Sequence, residues 1–483
     1  MVSSECEPFA KTGGLADVVD ALARALGRAG HTVDVYLPRY RTLAHTPSDL
    51  VPLEVVVPVG VDPALGTRGE AGRRIPVTIW SGSADGYRLR LVEHDPAFAR
   101  DGLYGGPDGD HPDNGLRFTI LGRAALEAIR AEARPVDILH GHDWQAGPAI
   151  LSLRTRYAFD PLMARAATIQ TCHNLAYHGW VPRDRAWALD LPDGLGDLRG
   201  VDLLRETVRI ADVVNTVSPT YARESLTPEY GAGLDDILRE RGDRYQGVLN
   251  GIDPGLWDPA TDASLAAPFS VHDVSGKEAC RADLAIRHGM DAGGPILGLV
   301  GRLDPQKGFD LVAVGADALV EAGARLIVLG TGDARLTEGL KTLAAARPDR
   351  VVVLDRFDRD EARRIYAGAD VFLMPSRFEP SGQGQLIAMR YGTVPLVRLT
   401  GGLADTIRDA DDDPETGNGF AFAAADSGAF LGAARRTIDA YADRPRWAAI
   451  QRRGMLTDSS WAGPATRYEQ LYRWAIELRQ STD

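Results

Sequence analysis

The chain has 483 residues, too many for one ordinary core, so two or three domains are expected. An apolar fraction of 44% and a charged fraction of 25% fit a water-soluble globular protein, and no apolar run reaches membrane-spanning length. The net charge of −13 argues against a nucleic-acid footprint.

In chain order, the N-terminal fifteen residues show neither a basic n-region nor an apolar h-region, so no signal peptide is read there. Cys6, Cys172 and Cys280 are too few and too scattered for a disulfide framework, and they lack zinc-site spacing. A reducing, cytoplasmic setting is the expectation. Residues 12–17 read Thr-Gly-Gly-Leu-Ala-Asp, and Leu15, Val18, Val19, Leu22 and Leu26 then recur at helical spacing. The same hexapeptide returns at 400–405. Glycines at a helix start let N–H groups approach an anion at the positive end of the dipole. Plain helix starts that need flexible glycines are an equal reading.

Short apolar, β-branched runs follow at 32–37, 136–139, 167–171 and 213–217, and again at 296–300, 326–329, 351–354, 371–374 and 394–397. Amphipathic stretches such as 114–131 and 358–368 separate them. The alternation predicts an α/β chain with two Rossmann-like, doubly wound domains. Residues 249 to about 295 are rich in Asp, Pro, Gly and Ala and read as connector. The expected boundaries are 1–248, 249–458 and a terminal segment, 459–483, whose helix at 465–480 carries an apolar face that must pack somewhere.

Polar residues cluster after the strands, where open α/β sheets bind ligands. Gly-His-Asp-Trp follows His140, and His173-Asn174, Gly301-Arg302, the Gly330 loop, Arg377-Phe378-Glu379-Pro380-Ser381-Gly382 and the second Thr-Gly-Gly each follow a run. Six such loops in register point to a cleft between the domains. Arg302 and Lys307 combine a planar fork with a point charge, which suits a diphosphate, although a solvated basic turn gives the same spacing. Glu379 lies between Phe378 and Pro380, placed either to meet sugar hydroxyls and a cationic transition state or as an ordinary surface carboxylate. His140, His142 and Asp143 allow a metal site, but a carboxylate–imidazole network is the commoner outcome. Residues 101–113 are too polar and Gly-rich for core and read as a carbohydrate groove or a mobile loop.

At these residues the chain resembles the bacterial glycogen synthase and plant starch synthase family. The resemblance rests on Lys11-Thr-Gly-Gly-Leu-Ala-Asp-Val, His140-Gly-His-Asp-Trp-Gln-Ala, His173-Asn-Leu-Ala-Tyr, Thr216-Val-Ser-Pro-Thr-Tyr-Ala-Arg-Glu and Leu249-Asn-Gly-Ile-Asp. It continues through Gly301-Arg-Leu-Asp-Pro-Gln-Lys-Gly, Pro375-Ser-Arg-Phe-Glu-Pro, Ala388-Met-Arg-Tyr-Gly-Thr and the hexapeptide at Thr400. It implies a GT-B glycosyltransferase whose last helix crosses back to the N-terminal, acceptor-side domain. The implied reaction moves glucose from ADP-glucose to the non-reducing end of an α-1,4-glucan with retention and without a metal cofactor. Carried over by position, Glu379, Arg302, Lys307 and His173 are catalytic. The donor side is Lys11, Gly13, Gly14, Asn250, the adenine-stacking Phe357, Ser381, Gly382, Thr400, Gly401 and Gly402. Asp143 and Tyr104 stand on the acceptor side.

Same-face attack, with the leaving phosphate taking the acceptor proton, is the favoured scheme; double displacement through Glu379 is the alternative. A transferase using UDP-glucose or another acceptor is the competing function. A metal-dependent hydrolase built on His140, His142, Asp143 and His173 or His178 is more remote. No nucleic-acid or membrane partner is implied, and oligomeric state is not legible. Two departures stand out. Ser381-Gly382-Gln383-Gly384 replaces the family's usual Cys-Gly-Leu-Thr. Only Met1 and Val2 precede Ser3 where the family carries an apolar strand, so a start upstream of Met1 is the expectation.

Overall fold

The computed structural model describes residues 1–61, 73–106, 109–192, 194–291 and 293–481. The chain divides into two compact units, one of residues 1–217, 222–248 and 461–483, the other of residues 218–221 and 249–460.

Unit 1 is built on strands β1 (Asp34–Pro38), β2 (Val51–Val59), β3 (Arg73–Ser83), β4 (Arg88–Glu93), β5 (Ile138–His142), β6 (Ala167–Cys172), β7 (Val213–Thr216) and β8 (Tyr245–Gly247). Strands β5 to β8 pair in parallel, in the order β8-β7-β6-β5. The other four form a layer β1-β4-β3-β2 in which β1 and β4 are parallel and the β2–β3 and β3–β4 pairs antiparallel. Strands β2, β3 and β4 were absent from the sequence expectation, which gave only parallel strands here. Buried and exposed residues alternate along β3 and in part of β2, a hairpin signature rather than a βαβ one, while β4 is buried through its centre.

The two layers are joined by a stub. Val2 bridges in parallel to Tyr36 of β1 and to Gly141 of β5. Its N–H donates to His140 O at 2.9 Å, and its carbonyl accepts from His142 N–H at 3.1 Å. The Met1 amine continues the ladder onto Asp34 O at 2.7 Å, and burial lowers its pKa to about 6. Val2 therefore holds a central place in the sheet, between β1 and β5. Behind it lies a cavity of about 580 Å³ lined by Met1, Val33, Asp34, Ile138, His140 and Tyr472, among others.

Helix α1 (Gly14–Arg28) follows the stub, α2 (Asn114–Glu132) follows the hairpin layer and α3 (Asp143–Arg154) follows β5. The last helix, Ala462–Gln480, starts three residues earlier than its apolar pattern predicts. Its Tyr468, Leu471 and Ala475 pack with Leu22 and Leu26 of α1 and with Ala167 and Ile169 of β6. This is the returning helix that the resemblance implied, and it covers one face of the unit 1 sheet.

Unit 2 carries β9 (Ile296–Val300), β10 (Arg325–Leu329), β11 (Val351–Leu354), β12 (Val371–Met374), β13 (Val394–Arg398) and β14 (Phe420–Phe422). They form one parallel sheet in the order β11-β10-β9-β12-β13-β14. This is the doubly wound order 3-2-1-4-5-6. Alternate strand residues face opposite layers. Leu297 and Leu299 join one core with Val312, Leu319 and Phe430, while Ile296 and Ile327 join another with Leu284 and Ile365. Among the described residues, no helix is long and apolar enough to cross a membrane.

Candidate functional site

In unit 2 the strand order reverses between β9 and β12, the place where open sheets bind ligands. The turn after β9 carries Arg302 and Lys307. Asp304 accepts the Lys307 N–H at 2.9 Å and closes a single turn, Pro305–Lys307, after which Gly308 at φ 71° opens the helix Phe309–Glu321. The turn thereby aims Lys307 Nζ at Glu379 Oε2, 2.6 Å away. Ser376 Oγ donates to the same oxygen at 3.2 Å. Glu379 is 6% exposed, so it is not an ordinary surface carboxylate. The Arg302 side chain is 61% exposed, with Asp304 at 3.2 Å, and its fork is largely open to solvent.

The second Thr-Gly-Gly serves the same loop from the inside. Thr400 is buried in an extended conformation at the N-cap position of Gly401–Thr406, a helix of only six residues. A Cβ on Gly401 would meet Glu379 O at 2.0 Å, and one on Gly402 would meet Ser381 O at 2.0 Å. The Gly402 N–H donates to Glu379 O at 3.2 Å and Pro380 O at 3.1 Å. This corrects the expectation that the Gly402 donor faces a phosphate, because the donor is spent on the loop that carries Glu379. Asp405, which ends the hexapeptide, accepts from Thr220 N–H and Oγ, while Ser218 Oγ donates to Pro380 O at 2.6 Å. Residues 218–221, read from the sequence only as a family motif, are thus a brace for 378–382.

The first copy is different. Nothing lies within 4 Å of a Cβ built on Gly13 or Gly14. Helix α1 is fifteen residues long, enough for a useful dipole. Its start already holds an anion, which the sequence reading missed. Glu5, 3% exposed, accepts the Thr12 and Gly13 N–H groups and the Thr12 hydroxyl. Tyr104, assigned to the acceptor side, donates to that same carboxylate and lies 2.9 Å from Ser4 Oγ. The Gly13 N–H is therefore not a free donor. Lys11 pairs with Asp17 at 2.5 Å and with Glu7 at 3.6 Å, so a phosphate would have to compete with two carboxylates for it. A Glu two residues after a stub strand gives no sequence signal of capping, since cap patterns place the residue next to the helix.

At the end of β5, Asp143 takes φ 55°, uncommon for a residue with a Cβ. Its carboxylate accepts the His173 N–H at 2.6 Å and the Asn174 N–H. Burial pushes its pKa up to about 7 against those two donors. His142 Nδ1 lies 3.1 Å from His173 Nε2. His140 lies between Tyr472 OH at 2.9 Å and Thr171 Oγ at 2.7 Å. Burial lowers all three imidazole pKa values, that of His173 to about 3. The expected carboxylate–imidazole network is thus an imidazole–imidazole pair, with Asp143 serving backbone donors. His178 pairs with Asp202 at 2.6 Å. Among the described residues no three His, Cys, Asp or Glu side chains stand together as metal ligands, so the donor set read for a metal hydrolase is not assembled.

Phe357, between β11 and the helix Arg359–Gly368, is 81% exposed and offers a free ring face. Asn250 is buried in unit 2, and its Oδ1 has no partner among the described residues. Ser381 and Gly382 turn at φ 70° on Gly382, where Gln385 Nε2 donates to both carbonyls at 3.2 and 3.1 Å.

The starch synthase catalytic domain model matches residues 1–240, and the glycosyl transferases group 1 model matches residues 294–440. The chain is 42% identical to glycogen synthase of Syntrophotalea carbinolica, covering 100% of this chain and 99% of that one. It is 44% identical to glycogen synthase of Anaeromyxobacter dehalogenans, covering 98% of each. The chain belongs to the glycogen and starch synthase family. Among solved structures it is similar to the catalytic domain of starch synthase IV from Arabidopsis thaliana bound to ADP and acarbose. That match has a TM-score of 0.88 and 34% identity over 99% of this chain and 98% of that one. Sucrose-phosphate synthase from Thermosynechococcus elongatus, at TM-score 0.59 and 19% identity, shares the fold. This family member is accordingly a glycosyltransferase of the GT-B class, with the two Rossmann-like units described above.

Proposed function

We propose that the protein transfers glucose from ADP-glucose to the non-reducing end of an α-1,4-glucan, with retention at the anomeric carbon. The observation that carries the reading is the Lys307–Glu379 pair at the switch point of unit 2, with Arg302 exposed on the same turn. A departing diphosphate develops charge on its oxygens, and fixed cations placed there lower the barrier. Arg302 and Lys307 supply that charge, and the proposal needs no metal. As Lys307 turns to the diphosphate, the Glu379 carboxylate is left to steady positive charge on the glucose ring.

The acceptor hydroxyl attacks the anomeric carbon on the face the diphosphate leaves. The bond to the phosphate oxygen breaks, the new glycosidic bond forms, and the proton of the acceptor passes to that phosphate oxygen. Phe357 stacks the adenine, Asn250 and the 381–382 turn line the donor, and His173 contacts the sugar. Lys11 and the glycine pair Gly13 and Gly14, which leaves room for a close approach, complete the donor side, with Tyr104 and Asp143 toward the glucan. A cytoplasmic setting is part of the proposal, supported by three buried free thiols at Cys6, Cys172 and Cys280. The test is transfer of radiolabelled glucose to glycogen from ADP-glucose and from UDP-glucose, with and without a chelator. Label from ADP-glucose, released again by an exo-acting α-1,4-glucanase and insensitive to the chelator, is the expected result. Preference for UDP-glucose, or loss of transfer on chelation, would overturn the donor or the metal-free scheme respectively.

A further inference from the structure

His142 has no place in the transfer chemistry above, yet it is fully buried at the end of β5. Its ring has two neighbours. The His140 ring lies below it, with centroids 4.1 Å apart, and His173 lies at its edge, Nδ1 to Nε2, at 3.1 Å. His140 is itself pinned at both nitrogens. Thr171 Oγ donates to Asn215 Oδ1 at 2.7 Å, so it must accept from His140 Nε2–H. His140 Nδ1 then accepts from the Tyr472 hydroxyl, which the last helix delivers. Asn215 Nδ2 reaches Tyr468 OH on the same helix at 3.1 Å. His142 therefore rests on a fixed floor.

Burial keeps the His142 and His173 rings neutral, so one must donate and the other accept. The deciding atom is His142 Nε2, which is buried without a partner among the described residues. If His173 donated, the His142 proton would be forced onto Nε2, leaving a buried N–H with no acceptor. If His142 donates from Nδ1, Nε2 is only a lone pair. Orphaned buried N–H groups are the rarer of the two in folded proteins.

We propose that His142 is a positioning residue: its Nδ1–H donates to His173 Nε2, fixing that ring and placing its proton on Nδ1, so that His173 meets the sugar as a hydrogen-bond donor. The functional half of this statement rests on the proposed role of His173 at the sugar; the tautomer does not.

Two measurements on the full chain test it. Two-bond proton–nitrogen correlation spectra of histidine-labelled protein, with His173 assigned through His173→Asn, report the tautomer directly. The expected result is Nδ1–H at His173; Nε2–H would overturn the proposal. In glucose transfer from ADP-glucose, His142→Phe keeps the ring on its floor but loses the donor. It should lower kcat about 10- to 100-fold, the scale of an outer-shell partner, with a much smaller change in KM. His142→Asn, whose amide nitrogen stands near the Nδ1 position, should recover most of the loss. Equal loss in both variants would overturn the positioning role. Should His142→Phe fail to fold, the wild-type spectrum and the Asn variant decide. Wild-type protein that transfers no glucose would refute the proposed function, while the spectrum would still settle the tautomer.

Discussion

Glu379 accepts from Lys307 and from Ser376, and each bond has a different consequence when the carboxylate is neutralised. Glu379→Gln keeps the shape and the contact with Ser376 but removes the charge. The expected result is a fall in kcat of two or more orders of magnitude with the ADP-glucose dissociation constant nearly unchanged, read by single-turnover kinetics and equilibrium titration. Near-normal turnover would remove Glu379 from the chemistry. The imidazole cluster makes a prediction about acid. Burial holds His173 at a pKa of about 3, well below the ordinary value near 6.5. The unfolded chain therefore takes up this proton first as pH falls. The stability concerned is present above about 6.5 and is lost on acidification toward 3. Asp143, raised to about 7, works in the opposite sense, gaining stability as pH falls through that value. Replacing His173 with Asn should shrink the loss of urea stability between pH 7.5 and 5 by up to about 2 kcal/mol. An unchanged loss would show that His173 titrates normally in the fold. The identity of Glu379, Arg302 and Lys307 was legible in the sequence, because a loop after a strand and a family motif both mark them. Glu5 was not: its partners Thr12, Gly13 and Tyr104 are 7, 8 and 99 residues away, and no local pattern encodes the last.

At the scale of elements, the two Thr-Gly-Gly-Leu-Ala-Asp copies separate cleanly. One sequence starts two helices but solves two problems. In the first copy the glycines face open space beside Glu5; in the second they let two backbones pass within van der Waals contact. Gly402→Ala should therefore cost about 1–3 kcal/mol of unit 2 stability, as overpacking does, and should displace the Glu379 loop and lower kcat. Gly13→Ala sits at an extended φ of −153° with room for the methyl. It should change stability by less than about 1 kcal/mol and show its effect in the ADP-glucose KM. Thermal melts and kinetics on both variants check the contrast, and the reverse ranking would refute it. The first strand teaches a related lesson. Val2 alone has the pairing of a central strand, on Tyr36 on one side and Gly141 on the other. A single bridging residue carries no periodicity, so only the neighbours on both sides reveal it. The hairpin of β2 and β3 was missed for a different reason, since its half-exposed alternation resembles neither a buried parallel strand nor a helix.

For the molecule as a whole, the final helix decides what counts as a domain. Trp461, Tyr468 and Leu471 are buried against α1 and β6, each contributing about 1.5–3 kcal/mol of apolar burial. That total rivals the net stability of an ordinary domain. A chain cut after residue 460 should lose unit 1, becoming insoluble or protease-sensitive in residues 1–248, while residues 249–460 keep a cooperative melt. Retained cooperative unfolding of unit 1 would refute the dependence. The sequence by itself determined the parallel strand–helix framework of both units, the order of the motifs and the family, because strand–helix alternation and strand-end loops are local and are written in consecutive residues. Only the tertiary structure decided which hydrogen-bond donors are already spent, which glycines face open space, and that the last nineteen-residue helix belongs to the first unit. The physical reason is one of range. Periodicity and turn chemistry are set by neighbours in the chain, whereas a buried N–H or an imidazole is satisfied by whatever the fold brings to it, and in this protein those partners lie up to 438 residues away.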